Sequence, residues 1–186
     1  MTFQQALAKA GICPEHIERI LGVDYPKDPG NPKQDAANFM AHALREAEAL
    51  LGFERLAEVM AHRSCCKSGF RLDNAKRLAK EHGGRPFDEK LALLGQLQYM
   101  GKPTLNADGD IETVAIGRMD SCPCWALGGC KPANGPMPLT YCLCCAGHFL
   151  FHYQKALGVK LSVKKVVSSN LGSGGEPCVF VYQIIQ

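Results

Sequence analysis

No stretch of the chain offers the roughly 18 consecutive apolar residues that a membrane-spanning helix needs. A bilayer partner is therefore not expected. The first residues, from Met1 to Lys9, mix polar and apolar side chains and lack the continuous apolar core of a secretion signal. A cytoplasmic location follows as the expectation. An excess of charge of one sign is missing too. The net charge is +3, and no basic block stands out beyond Lys164-Lys165. A nucleic-acid surface wants a concentrated basic face, so nucleic acid is not expected as a partner. Internal repeats and low-complexity tracts are absent as well.

What is present is cysteine: ten of them in 186 residues. A chain of this length buries roughly 70% of its unfolded surface and needs no disulfide staples to hold a core. In a reducing compartment such cysteines are thiols or metal ligands. Cys13 and Cys178 stand apart and read as core residues. Cys65 and Cys66 are adjacent, and Cys122, Cys124, Cys130, Cys142, Cys144 and Cys145 crowd into one stretch rich in proline and glycine. Small apolar filling does not explain that crowding.

Around the cysteines the chain predicts an α+β fold, with N-terminal helices followed by a twisted antiparallel sheet packed by helices. Residues 1–33 read as a helical extension and linker, and 34–186 as one domain. Apolar residues at three- and four-residue spacing predict helix over 34–62, with a break at Gly52. Further helices are predicted over 72–81, 86–99 and 141–157. Asp108-Gly109 signals a hairpin, and strands are predicted over 159–168 and from Cys178 onward.

Zinc takes about four sulfur or nitrogen ligands in a tetrahedron. The candidate ligands are Cys65, Cys66, Cys122, Cys124, Cys142, Cys144 and Cys145. Loop thiolates converge easily on one point because a loop has no ladder to satisfy. Cys144, His148 and His152 lie at four-residue steps, and a His-x-x-x-His pair on a helix offers two imidazoles to one metal. Phe149 occupies the position next to His148 where a metalloprotease motif has its glutamate. His42, His62 and His82 read as surface or helix-end residues. Two other patterns are decoys. Asn106 to Glu112 lacks the glycine placement and distal glutamate of a calcium loop. Gly172 to Gly175 leads into a strand rather than the helix N-terminus a phosphate would use.

The last 45 or so residues resemble the vinyl-reductase-like small-molecule-binding domain family. The matching features are Cys142 and Gly147 on a helix, the strand from Val159 to Val167, Gly174, and Cys178-Val-Phe180. The resemblance, which spans about 140–186, implies a twisted antiparallel sheet packed by helices, an architecture shared with nitric-oxide-sensor and vesicle-tethering domains. It also implies zinc held by cysteines of the helix and last strands in some members. The chain departs from the family where a cysteine near the end of the first strand is replaced by Ser168-Ser169. That departure moves the expected metal toward the loops. The overall layout is also similar to that of bacterial cysteine-rich proteins of open function.

Three functions are compatible with these patterns. One is a zinc-binding domain, monomeric or homodimeric, that takes up a small molecule in a cavity lined by Trp125, Phe149, Phe151 and Phe180, although each of these would serve equally as core. Another is a zinc-dependent enzyme of hydrolase or lyase type, with an open metal position and His148 or His152 as ligand or general base. The third is an iron–sulfur or thiol redox protein.

Overall fold

The structure, a computed structural model, describes residues 1–22, 32–64, 67–117 and 135–185. Within them the fold is α+β, with the helices first and the sheet after. Helix α1 (Phe3–Lys9) starts at a reciprocal cap in which the Thr2 hydroxyl accepts from the Gln5 amide and the Gln5 side chain accepts from the Thr2 amide. Helix α2 (Pro14–Leu21) has proline at its first position, where the missing N–H costs nothing. Phe3, Ala6, Leu7, Ile17 and Ile20 bury into the same core as the elements that follow.

Helix α3 (Pro32–Arg63) is two helices joined at Gly52, as the sequence predicts. Gly52 adopts φ 74° and ψ 166°, a region that is open essentially only to glycine. His62 lies in the last turn of α3, and His82 in the last turn of α4 (Phe70–His82). His42 differs from its expected place at a surface or helix end. It sits mid-helix, with Nε2 3.1 Å from where a Cβ on Gly22 would stand.

Helix α5 (Phe87–Gln96) is shorter than the spacing predicts, because the chain must turn to seat Met100 in the core before the sheet begins. Tyr99 takes φ 63° in that turn, an uncommon conformation for a bulky residue. A 3₁₀ turn (Leu139–Cys142) leads into α6 (Leu143–Leu157), which ends at Gly158 in the left-handed region.

The strands are β1 (Lys102–Leu105), β2 (Ile111–Ile116), β3 (Lys160–Ser168) and β4 (Cys178–Ile185). All pair antiparallel, in the order β1-β2-β4-β3. In the β1–β2 hairpin the Asn106 side chain accepts from the amides of Asp108 and Asp110. This is a turn, as predicted.

Helix α6 lies between two layers. Toward the sheet, Phe149 meets Phe180 and Tyr153 meets Tyr182, with ring centroids 6.2 and 5.7 Å apart. The Tyr182 hydroxyl donates to the Ala146 carbonyl. Toward the helices, Gly147 approaches α3 so closely that an added Cβ would stand 2.9 Å from the Ala61 Cα. Ser64 lies at the same contact.

Candidate functional site

Two places on the described surface and interior hold chemistry: the thiols around the start of α6, and a groove beside β3.

The thiols come first. Cys142 is the residue that caps the N-terminus of α6, and Cys178 opens β4. Both are buried, and their side chains are in hydrogen-bond contact. That contact, ahead of burial, pushes the Cys142 thiol well above its ordinary value of 9.0, while a hydrogen bond with Ser169 acts the other way. The Cys178 sulfur accepts from the Asn170 backbone amide at 3.4 Å and from the Asn170 side-chain Nδ2 at 3.2 Å. The Ser169 hydroxyl also accepts from the Gly172 amide, which ties this turn to the thiols. Asn170 Oδ1 is buried and has no hydrogen-bond partner among the described residues.

Cys144 and Cys145 follow on the first turn of α6 and are half-buried. Cys144 stands three residues before Gly147, hence on the same face of the helix, one turn away. That face approaches the end of α3 at Ala61 and Ser64. Beyond it, the Lys67 ammonium donates to the Ala61 carbonyl at 2.7 Å and lies 5.5 Å from the Phe151 ring centroid. Burial, with Lys9 nearby, lowers the Lys67 ammonium below its ordinary value.

His148 and His152 are both buried, with ring centroids 4.6 Å apart. The stripe predicted for Cys144, His148 and His152 thus exists along one helix, but among the described residues no group of three or more His, Cys, Asp or Glu side chains is arranged to hold a metal. Cys65, Cys66, Cys122, Cys124, Cys130 and Trp125 lie outside the described residues. Cys178 is buried, as read from the sequence. Cys13 is instead exposed, because it precedes Pro14 at the surface start of α2.

The described donors therefore fit a metal only in part. The soft sulfur of Cys142, Cys144 and Cys145 suits zinc. A closed tetrahedral site would need further ligands from outside the described residues.

The groove is separate. It holds about 870 Å³ and runs between α3, at Glu54, Ala57 and Ala61, and β3, at Leu161 and Val163, with Leu150 also lining it. Ile184 and Ile185 also line it, at the far end of β4 from Cys178. Eight residues of strand span roughly 25 Å, so the groove and the thiol pair occupy opposite ends of the sheet. Phe149 and Phe180 pack on each other in the core and do not border the groove, and Phe151 stands against Lys67.

Ser169 and Asn170 had no signal in the sequence as site residues. A serine and an asparagine after a strand read as an ordinary turn, and only the strand pairing brings them to Cys142 and Cys178. No family model, curated protein or solved structure matches this chain.

Proposed function

We propose that this chain is a cytoplasmic, cysteine-rich domain that binds zinc and takes up a small molecule, in a sensor or accessory role. It is a distant relative of the vinyl-reductase-like domains. The observation that carries the reading is the close approach of Ser64 to Gly147. Cys65 and Cys66 directly follow Ser64 in the chain, and Cys144 lies one turn from Gly147 on the same helix face. Ser64, the described residue just before Cys65, thus stands beside the helix that carries Cys144. Cys144 and Cys145 are the favoured helix ligands, since Cys142 is engaged with Cys178. Cys65 or Cys66 and the pair Cys122 and Cys124 supply the remaining thiolates.

When bound, zinc in such a set would fix the loops to the helix and add its binding free energy to folding. The groove between α3 and β3 is the place for the small molecule. Its apolar lining of Ala57, Ala61, Leu150, Leu161 and Val163 offers burial, and the polar groups that also line it offer orientation. The Ser169 hydroxyl stands at Cys142, where the vinyl-reductase-like pattern has a cysteine, and this supports a metal displaced toward Cys144.

The test is elemental analysis of protein purified without a metal-affinity tag under reducing conditions, together with a thiol count. About one zinc per chain is expected for a thiolate site of this kind. Cys144→Ser combined with Cys145→Ser should lose the metal, and Cys13→Ser should keep it. A metal-free chain whose thiols all react promptly would sink the proposal.

A further inference from the structure

The Cys142–Cys178 contact is not needed for the proposed metal. Two thiols from elements far apart in sequence come within hydrogen-bond reach of each other inside the core. A buried cysteine that only fills space has no use for a second sulfur against it, nor for two amide donors aimed at its sulfur. Cys178 has both.

We propose that Cys142 and Cys178 form a redox-active pair that a hydroperoxide converts to an intramolecular disulfide, in preference to the exposed Cys13. The Asn170 amide and Nδ2 hold the Cys178 sulfur in place as it attacks. Asn170 Oδ1, buried and otherwise without a partner among the described residues, accepts the O–H of the incoming hydroperoxide. The Cys178 sulfur forms an S–O bond as the O–O bond breaks. The departing alkoxide or hydroxide takes the thiol proton and leaves as an alcohol or water. Cys178 is then a sulfenic acid, oxidised by two electrons, and the peroxide is reduced by two.

Cys142 next attacks that sulfur. The S–S bond forms, the S–O bond breaks, and the hydroxyl leaves as water with the Cys142 proton. In sum, two thiols and one hydroperoxide give one disulfide, one alcohol or water, and one further water. Because the thiols already lie within hydrogen-bond reach, the second step has the high effective concentration of an intramolecular reaction. Cys13 lies on the surface at the start of α2, and no hydrogen bond to a second thiol is seen there among the described residues.

The experiment treats the full chain, as purified, with about one equivalent of hydrogen peroxide, the two-electron requirement of a dithiol. Remaining thiols are then alkylated and the digest is mapped by mass spectrometry, with zinc measured in parallel. The expected first product is a cross-linked peptide pair containing Cys142 and Cys178, while Cys13 is recovered alkylated. Asn170→Ala should slow the appearance of that product several-fold with the melting temperature checked alongside. Cys178→Ser should abolish it. Cross-linking of Cys142 or Cys178 to any other cysteine would overturn the inference. So would recovery of both as alkylated thiols after Cys13 has been oxidised. The zinc reading stands apart from this one, because a metal-free chain that forms the disulfide sinks the metal and leaves the pair.

Discussion

Tyr153 shows how one side chain can tie α6 to the sheet. Its hydroxyl donates to the Met100 carbonyl at 2.5 Å and lies 3.0 Å from Thr113 Oγ1, and the whole side chain is buried. Burial pushes the phenol above its ordinary value of 10.0, so it stays neutral throughout the physiological range. Tyr153→Phe keeps the ring contacts with Phe149 and Tyr182 but leaves a buried carbonyl without its donor. A loss of about 1–3 kcal/mol is expected, read from denaturant midpoints with an unchanged slope. At this scale the sequence was a mixed guide. Crowded cysteines raised the expectation of a site, and the burial of Cys178 agrees with its reading as a core residue. The contact between the Cys142 and Cys178 sulfurs, and the roles of Ser169 and Asn170, were not legible. A hydrogen bond between residues 36 positions apart depends on which helix turn faces which strand end.

The elements were easier to read, because helical periodicity, the Asp108-Gly109 turn and the Val-rich strands are local signals. Helix α5 was overextended in that reading. Its last apolar residues serve the turn that buries Met100 rather than a helix face. The contact of α6 with α3 had no local signal beyond a single glycine. Gly147 gives that contact its closeness: a Cβ there would meet the Ala61 Cα at 2.9 Å, and backbone cannot step aside as a flexible side chain can. Gly147→Ala would gain helix propensity, worth about 1 kcal/mol. Forcing the helices apart costs typically 1–3 kcal/mol. A net loss of stability is expected in thermal melts, against the propensity scale. The proposed metal adds a second readout, because separating the two helices should weaken zinc retention in dialysis against a chelator.

For the whole molecule, the α+β class followed from the order of helical and strand patterns along the chain. The strand order did not, since nothing local says that β4 belongs between β2 and β3. Lys164 joins β3 to the hairpin through ion pairs with Asp108 and Asp110. Lys164, at the irregularity where β3 shifts register against β4, reaches the buried Asp110 beside the hairpin at 2.5 Å. The hydrogen bond to Asp110 raises the Lys164 ammonium above its ordinary 10.5. A raised ammonium contributes stability in full below 10.5 and loses it as the pH climbs through the folded value. Lys164→Met should therefore lower the melting temperature near neutral pH. The deficit should shrink as the pH passes above 10.5. A deficit that does not change with pH would assign Lys164 a packing role instead.

The placement of β4 also sets the order of assembly. Ile111 finds its partner in Tyr182, and Val163 finds the same residue from the other side. Until Cys178–Ile185 pairs, the hairpin and β3 each present an unsatisfied edge with no strand to join them. Such edges are templates for pairing with other chains. Pairing of β4 closes both of these edges at once.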